Sequence, residues 1–319
     1  MTISTVAFLY PGAMGASLAR VLAVRLPHLK LLTSLQGRSQ ATISRAESCG
    51  LTNVPFADLI AQSDIILSIL PPSSAVSLAK EVVAHVATEK KPIFVDANAV
   101  SPETAAQISS IFEAKEIPFI DGCIIGFPAT EDFSSIPKLY LSASPEREDL
   151  MREVTQTLSG GEEGKGMRVR PMEGSGVGGA SALKMCYGGI NKAVSGLAAA
   201  MVLSAQAHSP GTAKAFLDEL SESQPALTKK LSRAIPDMIP KAYRWVGEME
   251  EISSFITSSI LQSASITHPN PADMYQGLAQ MFQRVADDVK HSQAGQRGEE
   301  VKILLDWAKR GEKELAKKE

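Results

Sequence analysis

The chain has 319 residues, 44% hydrophobic and 21% charged, with 32 Lys and Arg against 35 Asp and Glu for a net charge of −3. That balance lies in the globular range, excludes disordered and fibrous classes, and lacks the basic excess that neutralises a nucleic-acid backbone, so no nucleic-acid partner is expected. The length predicts two domains, and Cys49, Cys123 and Cys186 are too few and too scattered for a disulfide framework or a thiolate metal pair, which fits a reducing, cytoplasmic setting with no metal.

The first residues carry no charged region before their apolar run and pass directly into a glycine turn, as a buried strand does rather than a secretion signal. Strands are predicted at 5–9, 29–33, 65–70, 93–96, 119–121, 139–142 and 167–170, each bounded by polar or turn residues. Helical spacing of apolar residues places helices at 13–26, 40–49, 75–86, 102–115 and 147–158 between them, with Pro102 suited to a first helical turn. This alternation predicts a Rossmann-like, doubly wound α/β domain over 1–173. A glycine-rich stretch at 159–179 then gives way to helical pattern alone, so an all-α domain is predicted for 174–319.

Its first helix, 178–208, is rich in Ala, Gly and Ser; the apolar part at 193–207 is too short and too polar, with Ser195, Gly196, Ser204 and Gln206, to span a bilayer. Pro210, Pro225, Pro236, Pro240 and the His268-Pro269-Asn270-Pro271 turn are expected to punctuate the later helices. His268 is read as a turn residue, and the charged end of the chain from Trp307 as a solvated helix end.

Between the first strand and helix stands Tyr10-Pro11-Gly12-Ala13-Met14-Gly15, the strand–turn–helix context in which helix-end amides bind a pyrophosphate. In the dinucleotide pattern of three glycines the first makes the tight turn, and here Tyr10 occupies its place, while Gly12 and Gly15 fill the other two. The second strand ends without the carboxylate that would bind an adenosine ribose; Ser34, Arg38 and Ser39 stand there instead, a set able to hold a 2′-phosphate and so favouring NADP(H) over NAD. A surface arginine in a plain loop is the other reading of Arg38.

Taken together, several spaced segments resemble the 6-phosphogluconate dehydrogenase and 3-hydroxyacid dehydrogenase superfamily, in the branch with a distinct helical C-terminal domain of poorly defined function. GAMG is similar to the family's G-x-M-G turn, GRS to its cofactor segment, SILPPSSA to the strand and loop near the cofactor ribose (Leu70, Pro71), and DANAVSPETA to its D-x-S-T-x-S-P segment. DGCIIGFPA resembles the substrate loop, GVGGASALKMCYGG the helix carrying the catalytic lysine, and RWVGEMEEIS part of the distinct C-terminal domain.

The resemblance implies Lys184 as general acid/base, a role suited to a lysine whose pKa is lowered by desolvation. It also implies Asn98 as a contact to substrate or nicotinamide, in the place of a family serine. Ile125, Gly126 and Phe127 replace the family's Ser-Gly-Gly, and Gly188 replaces an asparagine one turn after the lysine, with Tyr187 and Asn191 on the same face. These changes make room for a bulkier or less polar substrate; packing roles for Tyr187 and Asn191 remain open. Ser101 has an ordinary reading as a helix cap, and Asp121 one as a support for the loop. Glu248 and Glu251 share a helical face with Arg244, either as an intrahelical ion pair or as substrate contacts in the interdomain cleft.

The resulting expectation is an NADP(H)-dependent dehydrogenase or reductase acting on a small molecule, a homodimer by resemblance, with no nucleic-acid or membrane partner. Imine reduction on the same architecture, and a non-catalytic dinucleotide-binding regulatory protein, are the alternatives.

Overall fold

The computed structural model describes residues 3–87, 90–162, 164–260, 270–293 and 298–317. The chain divides into two compact units, Met1–Met185 and Cys186–Glu319.

The first unit is built on one sheet in the order β3-β2-β1-β4-β5-β6-β7-β8. Its strands are β1 (Thr5–Leu9), β2 (Lys30–Thr33), β3 (Thr52–Asn53), β4 (Ile65–Ser68), β5 (Ile93–Asp96), β6 (Phe119–Ile125), β7 (Lys138–Ser142) and β8 (Arg168–Pro171). The six from β3 to β6 pair in parallel, β7 runs antiparallel to β6, and β8 is parallel to β7. Strands β1, β4 and β5 are buried at every position, which is why they read as unbroken apolar runs: helices cover both faces.

Alternation sorts their side chains between two cores. Val6 and Phe8 join Leu18 and Leu22 of helix α1 (Ala13–Arg25), Ala46 of α2 (Gln40–Ser48), and Met151 and Val154 of α6 (Glu148–Ser159). Ala7 and Leu9 join Leu59 of α3 (Phe56–Gln62), Leu78 and Val82 of α4 (Ala75–His85), and Ile108 and Phe112 of α5 (Pro102–Glu113). In that second core Phe94 and Phe112 stack with ring centroids 4.2 Å apart, and Phe119 joins them. After β1 the chain moves outward to β2 and β3, then returns to the other side of β1 for β4. The strand order therefore reverses between β1 and β4, the switch point at whose carboxyl ends open α/β sheets bind their ligands.

Helix α7 (Gly179–His208) starts in the first unit and runs into the second, which continues with α8 (Pro210–Ser223), α9 (Pro225–Met238), α10 (Ala242–Ile260), α11 (Asp273–Gln293) and α12 (Glu299–Ala316). Pro210 and Pro225 open their helices, where a missing N–H costs nothing, and Pro240 lies in a short 3₁₀ turn, whereas Pro236 sits inside α9. Trp245 of α10 meets Phe282 of α11 edge to face, with centroids 5.2 Å apart. Asn270 accepts from the Ala272 N–H at 3.0 Å in the turn before α11, while His268 and Pro269 lie outside the described residues. Among the described residues no helix is long and apolar enough to cross a membrane.

Candidate cofactor site and active site

The turn after β1 is tight even with tyrosine in the first glycine's place: Gly12 N–H donates to the Tyr10 carbonyl at 2.8 Å. Gly12 caps α1, and a Cβ there would meet nothing within 4 Å, so the helix amino end is open. Gly15 is the opposite case, since a Cβ there would lie 2.9 Å from the Tyr10 carbonyl oxygen. One glycine leaves room for a ligand, and the other lets the helix approach the strand. Ala13 is exposed and Met14 packs against the first core.

Arg38 lies at the end of β2 in a loop turned by Gly37 at φ +71°. Its guanidinium sits over the Tyr10 ring, 3.4 Å from the centroid, and among the described residues it has no hydrogen-bond or ion-pair partner. Arg45 of α2 donates to the Pro11 carbonyl at 3.3 Å, so a second guanidinium braces the same turn. Ser39 caps α2 by accepting from the Thr42 N–H at 3.4 Å, and Ser34 is buried.

At the ends of β4 and β5, Asn98 is 3% exposed and engaged on both sides of its amide. Its Oδ1 accepts from the Leu70 N–H at 2.7 Å; its Nδ2 donates to Ser68 Oγ at 2.9 Å and to Asp96 Oδ1. Asn98 thus fixes the Leu70–Pro71 segment. Among the described residues the buried Asp96 Oδ2 has no hydrogen-bond partner. Burial, reinforced by the neighbouring Asp121 and opposed by hydrogen bonds from Asn98 and Ser68, pushes the Asp96 carboxyl up to about 8.

Ser68, Asp96, Asp121 and Ser142 stand in register across β4, β5, β6 and β7, a buried polar row at one edge of the sheet. Asp121 accepts from Ser181 Oγ at 2.7 Å, Ser181 N–H at 3.0 Å and Ser142 Oγ at 3.1 Å, while Ser142 Oγ accepts from the Ala180 N–H at 2.9 Å. The row therefore clamps the first turn of α7. Burial raises the Asp121 pKa against these bonds. One turn onward, Lys184 Nζ donates to the Ile124 carbonyl at 2.6 Å, which ties the proposed catalytic lysine to the end of β6.

Beyond it Ile125 is half-buried, Gly126 has φ +126°, and Phe127 is 70% exposed. The loop they open is pinned to α1: Ala129 N–H donates to Ser17 Oγ at 3.1 Å, and Arg20 donates to the Thr130 carbonyl at 3.0 Å. Ser101 is the cap of α5, accepting from the Thr104 N–H at 3.2 Å.

The first unit thus gathers Gly12, Ala13, Met14, Gly15, Arg38, Ser39, Leu70, Pro71, Asn98, the β6 loop and Lys184 at the carboxyl ends of its parallel strands. Tyr187, Gly188, Asn191, Glu248 and Glu251 belong to the second unit. There Glu248 pairs with Lys192, a residue the motif reading passed over, and not with Arg244 on its own helix; the Lys192 and Glu248 side chains are 14% and 12% exposed. Lys192 Nζ is 5.6 Å from the Trp245 ring centroid and 3.5 Å from where a Cβ on Gly188 would stand. Asn191 donates to the Tyr187 carbonyl at 2.9 Å and accepts from Lys230 at 3.0 Å, tying α7 to α9. Glu251 is half-buried.

Solved structures match the fold over most of the chain. A conserved protein of unknown function, described as structurally similar to 3-hydroxyacid dehydrogenases, superposes with a TM-score of 0.59 at 24% identity, covering 89% of this chain and 97% of that one. The 3-hydroxyisobutyrate dehydrogenase of Mycobacterium tuberculosis, solved with L-serine, gives a TM-score of 0.60 at 17% identity over 90% of this chain and 95% of its own. The chain has the 3-hydroxyacid dehydrogenase fold. To that fold it joins a domain of unknown function (DUF1932), whose model matches residues 207–285. A 99-residue segment is 34% identical to an uncharacterized 28.5 kDa protein of Methanothermus fervidus, spanning 31% of this chain and little more than a third, 37%, of that relative.

Proposed function

We propose that the protein is an NADP(H)-dependent oxidoreductase that moves a hydride between the nicotinamide and a hydroxyl or carbonyl carbon of a small molecule, as in 3-hydroxyacid dehydrogenases. The observation that carries this reading is the pairing of an open helix amino end at Gly12 with a guanidinium at Arg38 whose donors have no partner among the described residues. A dinucleotide fits such a pair: the pyrophosphate has amides and a helix dipole to bind, and a 2′-phosphate has a charge-assisted fork.

When bound, the dinucleotide supplies the hydride acceptor or donor. The chain's part is proton handling and orientation, and the chemistry proposed is confined to residues of the first unit. In the oxidising direction the substrate carbon gives up its hydrogen with both electrons. Lys184 Nζ would take the hydroxyl proton in oxidation and return it in reduction. Asn98 holds Leu70 and Pro71 in place beside this chemistry.

The test is a parallel fluorescence titration with NADPH and NADH. NADPH is expected to bind more tightly, and Arg38→Ala should lower its affinity about 10- to 150-fold with little change for NADH. Equal loss for both overturns the cofactor assignment. Lys184→Ala should lower kcat by about 100- to 10,000-fold while NADPH affinity stays within about 3-fold. We further infer that the protein acts in the cytoplasm as a homodimer formed through α7.

A further inference from the structure

The stack of Arg38 on Tyr10 gives the missing first glycine a use. An arginine in an exposed loop samples many rotamers, and fixing one geometry on a ligand removes that freedom. Here the guanidinium face already rests on the Tyr10 ring, 3.4 Å from its centroid, an attraction between a cation and the negative face of an aromatic ring. Stacking occupies the flat face of the fork and leaves the N–H edge for an oxyanion.

The ring itself is held. Tyr10 packs against the second core beside Leu9, its N–H donates to the Ile69 carbonyl at 3.4 Å, and its carbonyl accepts from Gly12. Gly15, by lacking a Cβ, is what lets α1 come close to that carbonyl. Arg45, bonded to the Pro11 carbonyl, steadies the turn from the other helix.

We propose that Tyr10 is a specificity-determining residue: it pre-positions Arg38 for the 2′-phosphate and so sets the preference for NADPH over NADH. The proposal rests on the NADP(H) reading above. It deepens that reading by assigning the selectivity to a pair of residues, where the motif alone shows only a defect. A glycine at position 10 would make the turn and leave Arg38 without its platform.

The experiment is a double-mutant cycle read by NADPH and NADH titration, with thermal melts to confirm folding. Tyr10→Leu should lower NADPH affinity about 3- to 20-fold and leave NADH within about 2-fold, while Tyr10→Phe keeps the wild-type ratio. In an Arg38→Ala background Tyr10→Leu should change neither affinity, because the stack is already gone. Tyr10→Gly is the second variant, built for the turn and expected to behave as Tyr10→Leu. Equal loss for both cofactors, or an unchanged ratio in both Tyr10→Leu and Tyr10→Gly, overturns the proposal while leaving the cofactor reading intact. A wild-type protein indifferent to the 2′-phosphate overturns both, and does so before any substitution is made.

Discussion

Asp96 and Asp121 stand opposite each other on β5 and β6, buried to 1% and 0% exposure, yet only Asp121 is fully served by donors. Burial raises both carboxyls, and Asp96, with the neighbouring Asp121 adding to the effect, is pushed up to about 8. Its folded pKa of about 8 exceeds the ordinary 3.8, so between those values the unfolded chain has released a proton that the native state still holds. Stability from this group is complete below about pH 4 and is lost as pH rises through about 8. Asp96→Asn, which cannot ionise, should therefore gain in Tm over the wild type progressively from pH 5 to pH 8. A constant difference across that range, measured by calorimetry, would show that Asp96 is ionised in the native protein. The sequence places both aspartates at the ends of apolar strands and expects Asp121 to support the following loop, whereas in the fold β6 runs past it and it holds the first turn of α7. Their partnership with Ser68, Ser142 and Ser181 was not legible, because register between strands far apart in the chain is a property of the folded sheet. Tyr10 failed for the same reason: a local motif scores it as a missing glycine, and only the neighbouring loop reveals its partner.

Among the elements, the long apolar strands and the helices with helical spacing fall within a residue or two of their expected places, since burial on both faces leaves a continuous signal. Two pieces escaped: β3, only Thr52 and Asn53, offers no period to detect, and α3, seven residues after Pro55, is shorter than the window that separates helix from strand. Strand β6 runs on to Ile125, beyond the expected end at Asp121, because β7 folds back antiparallel and pairs with the extension. The turn between β1 and α1 yields a sharp contrast at element scale. Gly15→Ala places a methyl group 2.9 Å from a backbone oxygen and must push α1 off β1, a loss of about 1 to 3 kcal/mol seen as a lower Tm. Gly12→Ala meets no protein atom, so its Tm should match the wild type while NADPH affinity falls about 10-fold or more from lost approach to the helix end. If Gly12→Ala binds NADPH normally, the pyrophosphate does not sit there.

At the scale of the whole molecule, the homodimer proposed above rests on the exposed face of α7. Tyr187, Ile190, Leu197 and Met201 are 51%, 67%, 59% and 47% exposed, large apolar side chains on a helix whose opposite side buries Gly189, Ser195, Gly196, Ala199 and Val202. Their spacings of three, seven and four residues keep them on one stripe, the a/d pattern of a helix that meets a partner helix. Scattered surface leucines need no explanation, but a continuous stripe is costly in water and favours a second apolar surface over it. A two-fold pairing of identical stripes is self-complementary without any new sequence. Ile190→Glu combined with Leu197→Glu puts like charges across such a pairing and should convert the protein from dimer to monomer in light scattering. Its melting transition should then become independent of protein concentration, whereas that of the wild type rises with it. A wild-type protein that is already monomeric at micromolar concentration would leave the stripe for a different chain and remove the homodimer from the proposal.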